Sequence, residues 1–288
     1  FAFVCLTIFT LIKLPSDKVK NYVEGNISSA LAREGIVFSS KKASLSLGLG
    51  LIYEMSDVTL TFPQDRGGAI VEIDNLQISP SLLSFLLGKY AGKFWIDIAA
   101  GKGKGSFSVK QNDVDIEIKL KNLDLGRLEL LKIAVNAQAS ALASGSIIIN
   151  GKIDAPNTLD GDIRLKLEKI KAPEQQVMGF TVPPLSISEG TIDLDVDNGK
   201  ATIETMTLGK AGSDDSLVAT LNGDVALGKQ WASTVMNLKT NFSLSPSIKK
   251  SFVFVDALLA AGKQTDGSYT YNVSGAVFSP KATPQKAQ

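Results

Sequence analysis

From Leu45 onward the chain alternates between apolar and polar residues. Leu45, Leu47, Leu49 and Leu51 are separated by Ser46, Gly48 and Gly50, and Val58, Leu60 and Phe62 by Thr59 and Thr61. The same period of two recurs at Val71/Ile73, Val114/Ile116/Ile118/Leu120, Ile163/Leu165/Leu167, Ile192/Leu194/Val196 and Leu217/Ala219/Leu221. Neighbouring side chains of a strand point to opposite faces, so each run predicts a strand that is apolar on one face only. One wet face is the mark of antiparallel sheet, not of a parallel sheet buried on both sides. Asn150-Gly151, Asp160-Gly161, Asn198-Gly199, Asn222-Gly223 and Asp266-Gly267 accept positive φ and predict tight hairpins between the strands. Helical patterns are confined to 80–90, 125–137 and 251–261, which read as short helices or connectors capping the sheet.

The first 35 residues follow another pattern. Residues 1–12 are uncharged, and Phe1, Phe3, Val4, Leu6, Ile8, Phe9, Leu11 and Ile12 supply the apolar surface expected of a membrane anchor over 1–14. A bilayer span needs about 20 such residues. The first residue is not Met, so further residues before it are expected to extend the run. No small-x-small cleavage pattern follows, which favours an uncleaved anchor over a signal peptide. Over 15–35, Val19, Tyr22, Val23, Ile27, Ala30 and Leu31 recur at helical spacing, with Pro15 suited to a first turn and Gly35 to a stop. An amphipathic helix is expected there, packing one face on the domain that follows. The expected organisation is therefore anchor (1–14), helix (15–35), β-rich body (36–278) and a mobile tail without periodicity (279–288).

Composition narrows the chemistry. The chain has 288 residues, no His, one Cys, and 30 Lys and Arg against 29 Asp and Glu, a net charge of +1. That balance provides no basic field for a phosphate backbone, so no nucleic-acid partner is expected. Lack of His removes the commonest general base and metal ligand, and one thiol makes neither an internal disulfide nor a Cys-based zinc site. The reading is non-enzymatic, with no cofactor and no metal. Only 7% of residues are aromatic, so the inward positions are mostly Leu, Ile and Val. An elongated, curved antiparallel sheet of this kind either closes as a sandwich or curls open as a half-pipe. The candidate apolar groove consists of Leu45, Leu47, Leu49, Leu51, Val58, Leu60, Phe62, Ile116, Ile118, Ile163, Leu165, Ile192, Leu194 and Ala219. Acyl chains of lipids, which need dry area more than hydrogen bonds, are its natural cargo.

Some longer patterns carry a resemblance. The run Ala143-Ser144-Gly145-Ser146-Ile147-Ile148-Ile149-Asn150-Gly151, then Pro156 and Asp160-Gly161-Asp162-Ile163-Arg164-Leu165, resembles the AsmA-like proteins when joined to the N-terminal membrane segment, the Leu14-Pro15 step and the helix. Ile73 through Lys89, with Pro80 and Gly88-Lys89, the glycine-rich 100–105, and the stretch from Asp266-Gly267 to Pro280 look like the type II secretion system protein N family. The resemblance implies a single-pass inner-membrane anchor, a periplasmic body and no catalytic residues. It implies the membrane as a partner, with phospholipid acyl chains and other secretion-system components as further ones. The alternatives are an AsmA-like lipid-transport protein unrelated to secretion and a closed scaffold that binds nothing.

Other motifs are weaker than they look. Gly101-Lys102-Gly103-Lys104-Gly105-Ser106 has the composition of a phosphate loop but not its spacing, and is read as a flexible hairpin turn. Asp193, Asp195 and Asp197 approach a calcium loop, yet Asn198 stands where glycine is needed, so a solvated strand face is expected. Asp214-Asp215 reads as an ordinary turn, and Trp95 and Trp231 as packing residues.

Overall fold

The computed structural model describes residues 21–285 apart from 22–23, 26, 30, 34, 48–49, 65–67, 82, 85–86, 100, 130–137, 153, 178–179, 252–254 and 278. Strands β1 (Val37–Ser39) and β2 (Lys42–Leu47) both pair with β3 (Leu51–Thr61). The chain then meanders through β4 (Ile70–Pro80), β5 (Tyr90–Ile98), β6 (Gly101–Lys110), β7 (Asp113–Asp124), β8 (Ser140–Lys152) and β9 (Ala155–Ala172). After a separate hairpin of β10 (Gln175–Val177) and β11 (Phe180–Val182), it continues with β12 (Leu185–Asp197), β13 (Lys200–Leu208), β14 (Leu217–Ala226), β15 (Val235–Leu244), β16 (Tyr269–Ala276) and β17 (Lys281–Pro284). Every neighbouring pair is antiparallel, and apart from that hairpin all strands lie in one 15-stranded sheet. β1 and β17 stand at opposite ends of the strand order, so the sheet is open. The mainly β, antiparallel expectation is met.

Several local expectations are not. Of the five glycine dipeptides, Asn198-Gly199 (φ 47 and 72) makes a two-residue hairpin and Asp266-Gly267 (φ 83 at the glycine) a turn. Gly151, Gly161 and Gly223 lie inside β8, β9 and β14 with φ of 129, 151 and 129. A dipeptide that tolerates positive φ bends a strand as readily as it reverses one. The glycine run 101–105 is likewise strand β6, not a hairpin turn, since it is paired with β5 on one side and, from Lys102, with β7 on the other. Residues 281–284, expected in a mobile tail, pair with β16 as the last strand; backbone hydrogen bonding needs no side-chain period. The third helical patch starts earlier, as α1 (Pro246–Ser251) and α2 (Val255–Leu259), while 130–137 of the second lies outside the described residues. The expected anchor residues Phe1 to Ile12 also lie outside them, and no described helix is long and apolar enough to cross a membrane. Asn21, Glu24, Gly25, Ile27, Ser28, Ser29, Leu31 and Ala32 are helical. Gly35 (φ 72) ends that segment, its N–H bonding Ala32 O and that of Ile36 bonding Leu31 O.

The dense core sits at the N-terminal end. Tyr53, Met55, Val58, Val71, Ile73, Ile98 and Leu123 are buried together, with Ile27, Phe38, Leu45, Leu60 and Phe62 packed against them. Each fully buried side chain of this size contributes roughly 1.5–3 kcal/mol.

A second anchor point is Asp215, which proves to be more than a turn residue: it is 8% exposed. Its carboxylate accepts from Ser188 N–H (2.6 Å), Ser188 Oγ (2.8 Å) and Lys210 N–H (2.8 Å), tying the loop before β14 to β12. Burial pushes this carboxyl up, but the hydrogen bonds from Lys210 and Ser188 outweigh it and hold it below the ordinary carboxylate value of 3.8. A lowered acid stabilises the fold fully above its unfolded value and loses that contribution as pH falls through the folded value. Asp215→Ala, which orphans these donors, should cost about 2–4 kcal/mol. In urea unfolding the gap between parent and variant should be full at pH 7 and shrink at pH 3; an equal gap at both would refute this role.

Candidate functional site

Registers of the ladder decide where the alternating residues go. Across β3 to β16 the cross-strand partners run Tyr53, Ile78, Phe94, Gly105, Ile118, Ile147, Ile163, Leu194, Ile203, Gly223, Leu238 and Val273. A parallel row passes through Leu120, Gly145, Leu165, Ile192, Met206 and Leu221, and another through Ile116, Ile149, Gly161, Val196, Ala201 and Val225. All three rows share one face. The other face carries the charges, paired across strands as in Arg164 with Asp193 (3.4 Å) and Lys200 with Asp224 (3.8 Å).

Among the described residues, cover on the apolar face is found at its ends. At the N-terminal end Ile27 packs on the core, and burial together with the nearby Glu24 carboxylate raises the Tyr53 phenol above its ordinary value. At the C-terminal end, Phe242 stacks on Tyr269 (centroids 5.4 Å apart), which is fully buried. The Tyr269 hydroxyl donates to Asp256 of α2, that of Tyr271 donates to Leu259 O (3.2 Å), and Lys249 Nζ of α1 stands 5.4 Å from the Tyr269 ring centre. Burial and Asp256 push the Tyr269 phenol up to about 12. Between these ends Ile116, Ile118, Ile147, Ile163, Leu165, Ile192, Leu194, Leu221 and Leu238 are half-buried, whereas Met55 and Val58 are 1% exposed.

The candidate groove residues therefore divide. Leu45, Val58, Leu60 and Phe62 belong to the packed core and line no open groove; Ile27 of the helical segment and Leu125 and Leu128 after β7 pack against the same cluster. Leu51 is half-buried on the same strand face as Tyr53. Ile116, Ile118, Ile163, Leu165, Ile192 and Leu194 fall together on the uncovered rows, and Ala219 sits beside Phe242 at the C-terminal cover. Leu49 and the side chain of Leu47 lie outside the described residues. Ile147 and Ile149 were hidden in the unbroken Ile147-Ile148-Ile149, where period two is invisible. Leu238 and Val273 do alternate with polar neighbours and were findable by the same rule. Trp95 (38% exposed) and Trp231 (52% exposed) are not packing residues: Trp95 stands on the charged face and Trp231 in a surface turn.

Glycine shapes the floor of these rows. A Cβ on Gly145, Gly161 or Gly223 would lie 2.0, 1.9 or 2.2 Å from a carbonyl oxygen of the next strand, and all three have positive φ. A Cβ on Gly105 would meet the Phe94 ring at 2.7 Å, and one on Gly92 the Phe107 ring at 3.1 Å. Both rings therefore lie over their cross-strand glycines and do not stand off the sheet. Gly103 differs, since its Cβ would make only ordinary contact with Leu120 at 3.5 Å. Among the described residues no group of His, Cys, Asp or Glu could hold a metal ion. This surface offers apolar contact.

Comparison with family models, with curated proteins and with solved structures gives no match for the chain.

The glycine geometry predicts a contrast. Gly161→Ala should lose about 1–3 kcal/mol through backbone strain alone, with the carbonyl clash added, while Gly103→Ala should unfold within about 1 kcal/mol of the parent. Urea denaturation of the two variants checks it; equal losses would contradict this account of the floor.

Proposed function

We propose that this chain is a non-catalytic, membrane-tethered envelope protein whose apolar sheet face carries lipid acyl chains. The supporting observation is the set of rows of aliphatic residues and glycines on one face, covered at both ends by the described segments and mostly half-buried between them. A sheet face closed against a second layer would bury Ile118 and Leu194 as deeply as Val58. The strained glycines inside β8, β9 and β14 favour a curved half-pipe over a flat or sandwiched sheet, because such positions bend strands sharply.

Length favours a track over a pocket. From β5 to β14 the sheet order contains eight strands, about 34 Å at the usual strand spacing. The acyl layer of one bilayer leaflet is about 15 Å deep. A chain laid across the strands would meet aliphatic surface along its whole length and have room to advance.

This reading fits the resemblance to the AsmA-like and type II secretion system protein N families, with an inner-membrane anchor over 1–14 and a periplasmic body. Between the two, an open aliphatic surface favours lipid transport; a role beside other secretion components would use the edges or the charged face.

Photo-crosslinking tests it. With a photoreactive residue at Ile118, Leu194 or Leu238 of the full-length chain in membranes, mass spectrometry should find phospholipid adducts, and none with the residue at Lys104 on the opposite face. Ile118→Asp combined with Ile163→Asp should fold, since both sites are half-exposed, yet reduce co-purifying phospholipid severalfold, because a carboxylate among acyl chains is strongly unfavourable. Equal labelling of both faces, or protein adducts alone on the track, would sink the lipid reading.

A further inference from the structure

Like charges also face one another on the charged side, acidic on β9 and β12, where Glu168 stands opposite Glu189 and Asp162 opposite Asp195, and basic on β6 and β7. On β6 and β7, Lys102 stands directly opposite Lys121 and Lys104 directly opposite Lys119. Like charges facing each other across a ladder are destabilising. Lys102 reaches Asp97 (3.9 Å) and Lys119 reaches Glu117 (2.8 Å), while Lys104 and Lys121 have no ion-pair partner among the described residues. These four lysines surround a recess of about 400 Å³ that Trp95, Gln77 and Asp97 also line, so that four ammonium groups stand against the one carboxylate of its lining.

The surroundings decide what kind of anion fits. Glu54 on one side and Asp162, Asp193 and Asp195 on the other lie on the same face, two or more strands away. A broad polyanion or an anionic membrane surface would meet those carboxylates, and the chain as a whole carries a net charge of only +1. The positive potential is therefore confined to the recess, which suits a small anion. The other lining groups suit a sugar. Gln77 gives an amide N–H to Glu54 (3.1 Å), which leaves its carbonyl oxygen as an acceptor for a hydroxyl, while Asn75, bonded to the same carboxylate (2.8 Å), keeps its own carbonyl oxygen buried. Trp95 adds a partly exposed aromatic surface beside Lys104. We propose that this recess binds a phosphorylated sugar, its phosphate among the lysines and its ring against Trp95. The site lies on the face opposite the apolar track and stands whether or not the track carries lipid.

The test is a fluorescence titration of the full-length protein carrying Trp231→Phe, so that Trp95 is the remaining reporter. Glucose 6-phosphate should give a saturable change, inorganic phosphate a weaker one and glucose none. Lys104→Gln with Lys121→Gln should weaken glucose 6-phosphate binding about tenfold or more, as expected for losing two charge-assisted contacts. The double variant should melt no lower than the parent, since it relieves like-charge repulsion, which separates lost binding from lost folding. No saturation with glucose 6-phosphate, or an unchanged response in the double variant, would mean an adventitious ion only and overturn the proposal. Equal binding of phosphate and glucose 6-phosphate would overturn the sugar assignment.

Discussion

The constraint on which the rest depends is register. In a ladder with a side-chain period of two, slipping one strand by one residue moves its whole apolar set to the other face. Twelve strands from β3 to β16 keep Leu, Ile, Val, Phe and Gly in common rows. The bulges at Asp193/Leu194 and between Ile203 and Met206 absorb the mismatches without breaking those rows. Each strand thus adds its aliphatic residues to one surface and its charges to the other, and the sheet becomes two-sided over its whole width. Everything proposed for this chain follows from that sorting: an acyl track on one side, a recess for a small anion on the other.

Cover is the second constraint. Among the described residues, the segments that cover the apolar face lie at its two ends, the helical segment before β1 at one end and α1 with α2 at the other. Their interactions differ in kind. The N-terminal cover is aliphatic packing around Met55 and Val58, while the C-terminal cover is an aromatic stack of Phe242 and Tyr269 fixed by the bond from Tyr269 to Asp256. On the middle strands Val114, Ala201 and Ile203 are buried, and the remaining aliphatic residues of the rows are half-buried.

Much of this was legible in the residues and some was not, for physical reasons. Period two located strands such as Val114 to Leu120 and Ile192 to Val196 because a polar neighbour marks each inward position. It failed at Ile147-Ile148-Ile149, where the outward residue is also apolar, and at 101–105, where the inward residues are glycines with no side chain to count. The dipeptides Asp160-Gly161 and Asn222-Gly223 misled because positive φ is a local property, while whether the chain turns or continues depends on the neighbouring strand's carbonyls. Asp215 looked like one more turn residue because Ser188, which supplies two of its donors, lies 27 residues away and is brought to it only by the pairing of β12 with β13. The split of Leu45, Val58 and Leu60 from Ile118 and Leu194 was invisible for a similar reason: alternation names a face, and only the arrangement of covering segments says which part is buried.

What should lie on the uncovered rows can be argued from packing. A second protein sheet packs on a first about 10 Å away, with side chains interdigitating at crystal-like density. The rows here are interrupted by Gly105, Gly145, Gly161 and Gly223, and the rings of Phe94 and Phe107 lie down over glycines. A rigid partner would need a knob for every such hollow, and on the curved half-pipe proposed here two copies meeting face to face would touch at the rims and leave the floor empty. Acyl chains have no fixed shape to match. They can fill shallow hollows of irregular depth, and they need no hydrogen bonds from a floor that offers only carbon. The same glycines that would weaken a protein interface therefore suit a fluid occupant, and since a Cβ at any of them would come within 2.5 Å of a neighbouring strand's carbonyl oxygen, no side chain of the protein itself can fill the floor there.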